Sequence, residues 1–273
     1  MAIRPLLHGP APTTALELNA PMPTAFSSAD RAPALEGLEE HLVSLLSPHS
    51  FEADQYRILR HFVEQVTGES RRKVLAITSP AAGDGKTTTA INLAVTLAQS
   101  PGARVLLVDT DLRRPFVATS LGLEGESGPG LAGALVDPTL ELDQVVRETP
   151  FNLAVLPAGP PPRNAYQVLD SPRIGELLEQ ARRTYDYVLL DAPPVLLVPD
   201  CRLMSQWVDG FLIVVAAHRT PRKLLAEALS ATDQEKVLGL VFNRDQRPLS
   251  GYYKHYGCYY QADRPRAGRG WWR

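Results

Sequence analysis

The sequence predicts an α/β fold in which helices cover both faces of a mostly parallel β-sheet. Short apolar segments alternate with segments of helical periodicity, which is typical of parallel strands joined by helical crossovers. A glycine-containing loop links the first of these apolar segments to a helix, and two later ones end in aspartate. Because ligands bind beyond the carboxyl ends of the strands in such sheets, these loops and aspartates indicate where a site lies.

Length and composition limit the classes of protein to consider. The chain has 273 residues and is 44% apolar, which suffices for one large domain with additional segments. Its 28 basic and 30 acidic residues nearly cancel, so no overall charge indicates binding to nucleic acid. Cys201 and Cys258 lie apart without metal-ligand spacing, which favours a reducing cytoplasm over a disulfide framework or a zinc site. The longest apolar run, 211–217, is far shorter than the roughly 20 residues that span a bilayer, so we expect a cytoplasmic protein.

Three regions follow one another along the chain. Residues 1–48 are rich in proline and alanine and are predicted to form a disordered arm. Residues 49–247 carry the α/β pattern, beginning with a helix at 51–66 that Ser50 caps. Residues 248–273 form a tail rich in tyrosine, glycine and arginine, from which no core can be built.

The elements of the α/β region follow from its apolar segments and their periodicity. Each predicted strand is a short continuous apolar run, and the predicted helices have an apolar face. Strands are predicted at residues 74–78, 105–108, 153–156, 187–190, 211–216 and 237–242. Helices are predicted between them at residues 87–99, 131–148 with an interruption, 173–184, 200–207 and 221–232.

The loop at residues 80–88 has the residue order needed to bind a nucleoside triphosphate. Gly83 and Gly85 permit backbone angles closed to other residues, so consecutive N–H groups can point at phosphate oxygens. Lys86 supplies a cation for the β- and γ-phosphates, and Thr87 supplies a hydroxyl for Mg²⁺. The predicted nucleotide-binding residues of the loop are Gly83, Asp84, Gly85, Lys86, Thr87 and Thr88. Proline replaces the first glycine of the usual pattern, and an ordinary glycine-rich turn with a solvated lysine is the alternative.

Carboxylates follow two of the apolar strands. Asp109 and Asp111, with Arg113, come directly after the strand at 105–108, beside the expected position of the phosphate loop. Asp109 can act as a water-mediated metal ligand or as the base that takes a proton from an attacking hydroxyl, and Asp111 can share the metal. A capping role for aspartate at the next helix is the alternative. Asp191 ends a second such strand and suits the acid that holds Mg²⁺ through water.

These motifs together resemble those of bacterial tyrosine kinases that control capsule and exopolysaccharide assembly. That family's loop, Pro-x-x-Gly-x-Gly-Lys-[Ser/Thr], matches residues 80–87, and its second motif, Asp-x-Asp-x-Arg, matches residues 109–113. Its third motif, Asp-[Ser/Thr]-Pro-Pro, matches residues 191–194, except that Ala192 replaces the hydroxyl residue. The resemblance extends from about residue 51 to the tyrosine tail and implies a P-loop NTPase-type fold. The chain is similar to the cytoplasmic members of the family, which have no fused membrane domain.

The resemblance implies roles for further residues. The partitioning ATPases of the same fold have a lysine early in the loop, where this chain has Ala81, so their sandwich dimer is not expected. Family members close a ring of subunits with Glu-x-x-Arg-x-x-Arg on an early helix, matched here by Asp54, Arg57 and Arg60. Asn243 is a candidate for the adenine pocket. The tyrosines expected to accept phosphate from a neighbouring subunit are Tyr252, Tyr253, Tyr256, Tyr259 and Tyr260.

The implied reaction is phosphoryl transfer from ATP with Mg²⁺. The residues expected to carry it are Lys86, Asp109, Asp111, Arg113 and Asp191. Thr87, Asp111 and Asp191 are expected to organise the metal, while Asp109 accepts the tyrosine proton. The expected partners are a separate membrane polysaccharide co-polymerase that activates the kinase, further copies in a ring and a cognate tyrosine phosphatase. Through the co-polymerase the protein is expected at the inner face of the membrane.

Two other functions remain as alternatives. A related regulatory ATPase that positions or switches a partner shares the fold and the lysine, but needs neither Asp111 with Arg113 nor the tyrosine tail. A catalytically weak scaffold of a polysaccharide assembly complex is suggested by two departures from the family pattern, Asp54 and Ala192. Formation of phosphotyrosine separates the kinase from both alternatives.

Overall fold

A computed structural model of the chain describes residues 2–5, 37–68, 73–123, 128–198 and 203–245. The described strands are β1 (Ala2–Pro5), β2 (Val74–Thr78), β3 (Val105–Asp109), β4 (Arg147–Glu148), β5 (Ala154–Leu156), β6 (Tyr187–Asp191), β7 (Gly210–Ala216) and β8 (Val237–Asn243). They form one eight-stranded sheet in the order β1-β8-β7-β2-β6-β3-β5-β4. Only the outer strands β1 and β4 pair antiparallel to their neighbours within this described sheet, which confirms the predicted α/β class.

Helices cover both faces of the sheet. The described helices are α1 (Val43–Leu46), α2 (Phe51–Gly68), α3 (Lys86–Ala98), α4 (Val117–Ser120), α5 (Gly130–Val136), α6 (Leu142–Val145), α7 (Ala165–Leu169), α8 (Arg173–Thr184) and α9 (Arg222–Ala231). Side chains along the inner strands alternate between two apolar clusters: Leu106 and Leu190 pack in one, and Leu107 and Leu189 in the other. Helices α5, α8 and α9 cover the first cluster, and α2 and α3 cover the second. Because both faces are buried, each inner strand is a continuous apolar run.

The predicted strands are all present, and each bound lies within one residue of its prediction. The predicted helices at 87–99, 173–184 and 221–232 are confirmed as α3, α8 and α9. The predicted cap of α2 is also confirmed, because the Ala53 N–H donates to Ser50 Oγ at 3.1 Å. The predicted helix at 200–207 lies partly outside the described residues. Within the described part of the chain, no helix is both long and apolar enough to span a bilayer.

The predicted helix at 131–148 is wrong in its last part. The chain forms α5 and α6 and then strand β4, which pairs antiparallel with β5. Pro150 lacks the N–H that a continuing helix needs, and Asn152 takes a left-handed conformation with a φ of 58°. A hairpin therefore closes here, in which the Thr149 N–H donates to the Leu153 carbonyl at 3.1 Å.

The predicted disordered arm ends too late at residue 48. Leu42 is fully buried, and the Ser44 N–H donates to Asn92 Oδ1 at 2.8 Å, so α1 packs against α3. Residues 37–48, which were assigned to the arm, thus pack with the domain. Strand β1, inside the predicted arm, pairs with the edge of β8. Residues 6–36 and 246–273, including the tail tyrosines, lie outside the described part of the chain.

A partly buried ion pair fixes the start of β2. Asp209 accepts from Arg182 at 2.9 Å and from the N–H groups of Lys73 and Val74 at 2.8 Å each. Burial alone raises the pKa of Asp209, but the hydrogen bond from Arg182 and those from the two amides lower it below its ordinary value.

We expect Asp209→Ala to lower the free energy of unfolding by about 2 kcal/mol at neutral pH, because the guanidinium and two amides lose their acceptor. The loss should shrink as the pH falls below about 4, where protonation removes the carboxylate charge in the unfolded chain and then in the folded one. Urea denaturation measures this effect. An unchanged midpoint would contradict it, and nucleotide affinity is expected to stay unchanged because Asp209 lies at the opposite strand ends from the phosphate loop.

Candidate nucleotide-binding and active site

The phosphate loop runs from the end of β2 to the first residue of α3. Gly83 and Gly85 have φ angles of 82° and 95°, in the left-handed region that glycine enters without strain. A Cβ atom at Gly85 would lie 2.0 Å from Asn243 Nδ2, so a larger residue does not fit. The helix begins at Lys86, and its first N–H groups and positive dipole end therefore face the loop. The predicted order of strand, glycine loop and helix is confirmed.

Lys86 lies between two carboxylates that follow different strands. Its Nζ atom is 3.1 Å from Asp111 Oδ2 and 3.4 Å from Asp191 Oδ1, and its side chain is 13% exposed. Burial lowers the pKa of Lys86, but the charges of Asp191 and Asp111 outweigh that effect and raise it. The lysine is therefore charged at neutral pH.

Asp191 lies at the centre of this group. It is fully buried at the end of β6, and it accepts from Thr87 Oγ1 at 2.6 Å. Burial raises the pKa of Asp191, and Lys86 and Thr87 offset only part of the rise. The register of β3 and β6 places Asp191 directly opposite Asp109. The structure thus brings the lysine, the threonine and the aspartates together at one edge of the sheet.

Asp109 is buried and caps the segment that follows β3. Its Oδ1 accepts from the Asp111 N–H at 3.2 Å, and its Oδ2 accepts from the N–H groups of Phe116 and Val117 at 3.0 and 3.1 Å. The capping alternative is therefore observed. Burial, together with the charge of Asp191, raises the pKa of Asp109 to about 7 despite these amides. A value near neutrality suits a general base, so capping does not exclude a catalytic role.

Three more residues predicted to act in the site differ in their placement. Asp111 faces Lys86 through Oδ2, and its Oδ1 accepts from the Arg114 N–H at 3.1 Å. Arg113 is exposed, and its role in catalysis stays a prediction. Asp84 is buried, and both of its carboxylate oxygens bind other groups of the protein. A nucleotide contact of Asp84 stays a prediction, and it concerns the backbone N–H because both carboxylate oxygens have protein partners.

An open cleft of about 530 Å³ adjoins the phosphate loop. Gly85, Thr88 and Asn243 line one part of it, and Phe51 and Tyr56 of α2 line another. The cleft combines an amide side chain with aromatic surface, which suits a purine base. Thr88 and Asn243 were predicted to lie here. The contribution of α2 was not, because contacts between distant segments leave no periodic signal in a sequence.

The residues predicted to contact neighbouring subunits lie on α2. Asp54 and Arg57 form an ion pair within the helix, and Arg57 also donates to the Pro48 carbonyl at 2.6 Å. Arg60 donates to the Thr96 carbonyl at 3.4 Å. All three make contacts within one chain, and the ring interface stays a prediction.

Magnesium fits this site together with phosphate rather than alone. Among the described residues, no three histidine, cysteine, aspartate or glutamate side chains are grouped so that they hold an ion by themselves. In nucleotide sites Mg²⁺ binds one or two carboxylates, phosphate oxygens and retained waters. Thr87, Asp111 and Asp191 suit that coordination because an oxygen of each already contacts Lys86 Nζ, and Thr87 also contacts Asp191.

A glycine loop followed by lysine and threonine, beside aspartates at the ends of two parallel strands, defines a phosphate-loop nucleotide-binding protein. Comparison with known proteins agrees with this class and narrows it. Residues 72–221 match a family described as the AAA domain, which supports ATP binding. The chain is 34% identical over 222 residues to the tyrosine-protein kinase YwqD of Bacillus subtilis (strain 168), covering 81% of this chain and 92% of that protein. The chain belongs to the family of bacterial tyrosine kinases.

Two further similarities extend this result. The chain is 33% identical over 232 residues to the succinoglycan biosynthesis transport protein ExoP of Rhizobium meliloti (strain 1021), covering 78% of this chain and 29% of that protein. The crystal structure of the chimerical protein CapA2B2 matches with a TM-score of 0.70 and 29% identity, over 77% of this chain and 92% of that one. The arrangement of sheet and helices is thus shared with a solved structure.

Proposed function

We propose that this protein is an ATP- and Mg²⁺-dependent tyrosine kinase that phosphorylates the C-terminal tyrosine cluster of a neighbouring copy. This activity regulates the polymerisation and export of a capsular polysaccharide or exopolysaccharide. The observation that carries the proposal is Lys86, held 3.1 and 3.4 Å from Asp111 and Asp191, with Asp109 on the adjacent strand. Membership of the tyrosine-kinase family supports tyrosine as the acceptor.

The phosphates of ATP bind to the loop and to Lys86. The loop glycines let backbone N–H groups converge, and the start of α3 adds its positive dipole end. Lys86 exchanges contact with Asp111 and Asp191 for contact with phosphate oxygens. A cation already held in place stabilises the charge that develops on the transferred group without further reorganisation.

The charge balance of the site favours a metal ion with the nucleotide. The Lys86 ammonium faces the carboxylates of Asp109, Asp111 and Asp191, so the group is negative when all of them are ionised. A triphosphate adds negative charge, which is unfavourable in partly buried surroundings. Mg²⁺ held by Thr87, Asp111 and Asp191 supplies the neutralising charge. Chelation with EDTA is therefore expected to weaken nucleotide binding.

Proton transfer is assigned to Asp109. As the tyrosine oxygen forms its bond to the γ-phosphorus, the bond from that phosphorus to the β,γ-bridging oxygen breaks and ADP leaves. The tyrosine proton passes to the Asp109 carboxylate, whose pKa of about 7 lets it accept a proton and later release it to water.

A separate membrane polysaccharide co-polymerase is proposed as the activator. Similarity to ExoP, which is named as a succinoglycan biosynthesis transport protein, supports a link to polysaccharide assembly. We infer that such a co-polymerase activates the kinase and brings it to the inner face of the membrane. A ring of copies, joined through Asp54, Arg57 and Arg60, and a cognate phosphatase complete the proposal.

The acceptor assignment predicts the site of labelling. Purified protein incubated with ATP and Mg²⁺ is expected to become phosphorylated on tyrosine. Joint replacement of the five tail tyrosines by phenylalanine keeps the rings but removes the hydroxyls, so it is expected to remove nearly all label. The five residues are Tyr252, Tyr253, Tyr256, Tyr259 and Tyr260. Immunoblotting and phosphopeptide mass spectrometry measure the result. Tyr166→Phe is the matched control, since Tyr166 is exposed on α7 and its loss should leave the label unchanged.

A mixing experiment tests transfer between copies and the alternative functions. The acceptor is the Lys86→Met variant, which keeps its tail, and the enzyme is a second variant that keeps Lys86 but has residues 248–273 deleted. The acceptor is expected to be labelled only when the second variant is added. Label on serine alone, or ATP loss without label, would favour the regulatory ATPase. Absence of both activities, even with a co-polymerase present, would favour the scaffold.

A further inference from the structure

A side-chain network outside the cluster of lysine and acids joins the phosphate loop to the end of β7. Thr220 Oγ1 donates to Asp84 Oδ1 at 2.7 Å and accepts from the Ala216 N–H at 3.1 Å. The other oxygen of Asp84 accepts from the Ala81 N–H at 3.0 Å, inside the loop. The Asp84 carboxylate therefore connects the turn after β7 to the first part of the loop.

The end of β8 holds the same residue from another side. Asn243 Nδ2 donates to the Asp84 carbonyl at 3.1 Å, and the Asn243 carbonyl accepts from the Ala217 N–H at 2.8 Å. Asn243 also lies so close to Gly85 that no Cβ atom fits between them. Asp84, two positions before Lys86, is thus held through its carbonyl by the end of β8 and through its carboxylate by the turn after β7.

The Asp84 carboxylate is buried, and none of its hydrogen-bond partners among the described residues is a cation. It is 4% exposed, and it binds a hydroxyl and an amide. Burial of a carboxylate costs free energy that neutral donors offset only when their geometry is kept. Loss of the Thr220 hydroxyl would leave Asp84 Oδ1 short of a donor and favour a loop conformation in which the carboxylate reaches water.

We propose that Thr220 is a positioning residue for nucleotide binding, acting through Asp84 to hold the phosphate loop in its binding conformation. Thr220 lies outside the motifs that surround Lys86, and 136 positions separate it from Asp84 in the sequence. This inference rests on one part of the proposed function, nucleotide binding, and does not require tyrosine phosphorylation.

Thr220→Val tests the proposal because it keeps the shape of the side chain and removes the hydroxyl. The Kd of a fluorescent ADP analogue with Mg²⁺ is expected to rise about tenfold, and Thr220→Ser is expected to restore it because serine keeps the donor. Thr232→Val is the matched control. Thr232 lies at the other end of α9 and donates to the Ala228 carbonyl at 2.9 Å, so its loss removes a similar bond away from the loop.

A double-mutant cycle identifies the route of the effect. Asp84→Asn is expected to weaken binding as well, and Thr220→Val in that background is expected to add little, because the bond that it removes is already altered. Additive effects would contradict a route through Asp84. Equal ADP affinity of wild type and Thr220→Val, or an equal loss in Thr232→Val, would overturn the proposal. Nucleotide binding without tyrosine label in the wild type would instead contradict only the proposed function.

Discussion

Lys86→Met is expected to lower tyrosine phosphorylation by roughly 10³-fold or more and to abolish measurable ATP binding. Methionine keeps an unbranched side chain of similar length but has no charge to offer the phosphates. The loss should be seen in the phosphotyrosine assay and in titration with a fluorescent ATP analogue. Label at the wild-type rate would contradict the assignment of Lys86 to the phosphates.

The same substitution is expected to destabilise the nucleotide-free protein. Lys86 contacts both Asp111 and Asp191, and its removal takes this cation away from two buried carboxylates. Breaking such a pair by removing one partner costs about 3 kcal/mol. The cost should be largest at alkaline pH and shrink as the pH falls, because a carboxylate whose folded-state pKa is raised favours folding when protonated.

Lys86→Arg separates the charge from the chemistry. Arginine keeps the positive charge near Asp111 and Asp191, so most of the stability should return. Its planar guanidinium does not reproduce the compact ammonium, so phosphorylation should stay low. Equal stability of wild type and Lys86→Met at every pH would contradict the ion pairs, whatever the activity.

The sheet could be predicted from sequence because its inner strands are buried on both faces. Such strands are continuous apolar runs, and the residue after each run lies at one common edge. Lys86, Asp109 and Asp191 come from three segments of the chain, yet this rule, together with the glycine-loop motif that contains Lys86, predicted that they lie close together. The glycine positions were predictable for a similar reason, since positive φ angles at Gly83 and Gly85 follow from what the loop must do.

Features that depend on contacts between distant segments could not be predicted. Residues 37–47 carry little periodicity, and their structure comes from packing, as with Leu42 against the domain. The strand at Arg147–Glu148 is defined only by its pairing with β5. Thr220 lies in a turn whose sequence gives no sign of Asp84. The local sequence pattern specifies most helices and strands of this protein, while residues that hold the site in place, such as Thr220, are recognised only from tertiary contacts.

Asp109 shows where one residue type permits two interpretations. An aspartate at a strand end can cap the next helix or take part in catalysis, and sequence pattern does not separate these roles. The structure shows the cap directly, through the N–H groups of Phe116 and Val117. It also places the carboxylate in the surroundings that raise its pKa to about 7. Substitution can separate the two roles.

Asp109→Asn is expected to lower tyrosine phosphorylation about 10²- to 10⁴-fold with little change in ATP affinity. An amide has nearly the same shape, and its oxygen can still accept from the N–H groups of Phe116 and Val117. It cannot take the tyrosine proton. A fall in kcat at constant KM would assign the loss to the transition state rather than to binding.

The pH dependence of stability provides an independent measurement on the same variant. In the wild type the folded-state pKa of Asp109 is about 7, against an ordinary value of 3.8 in the unfolded chain. The folded state holds this proton more tightly, so the contribution of Asp109 to stability is full below about pH 4 and is lost as the pH rises to about 7. The variant should lack that part of the decline. Asp209→Asn is the control, because the lowered pKa of Asp209 gives a contribution of opposite slope.

The two measurements together decide between the roles. A residue that only caps would, when changed to asparagine, alter stability and its pH dependence while leaving the phosphorylation rate of the folded protein near that of the wild type. A base that also caps would lose rate at every pH, including pH 8, where Asp109 of the wild type is largely ionised because its pKa is about 7. Equal rates at pH 8 would therefore remove Asp109 from the chemistry, and the tyrosine proton would have to pass directly to a phosphate oxygen or to water.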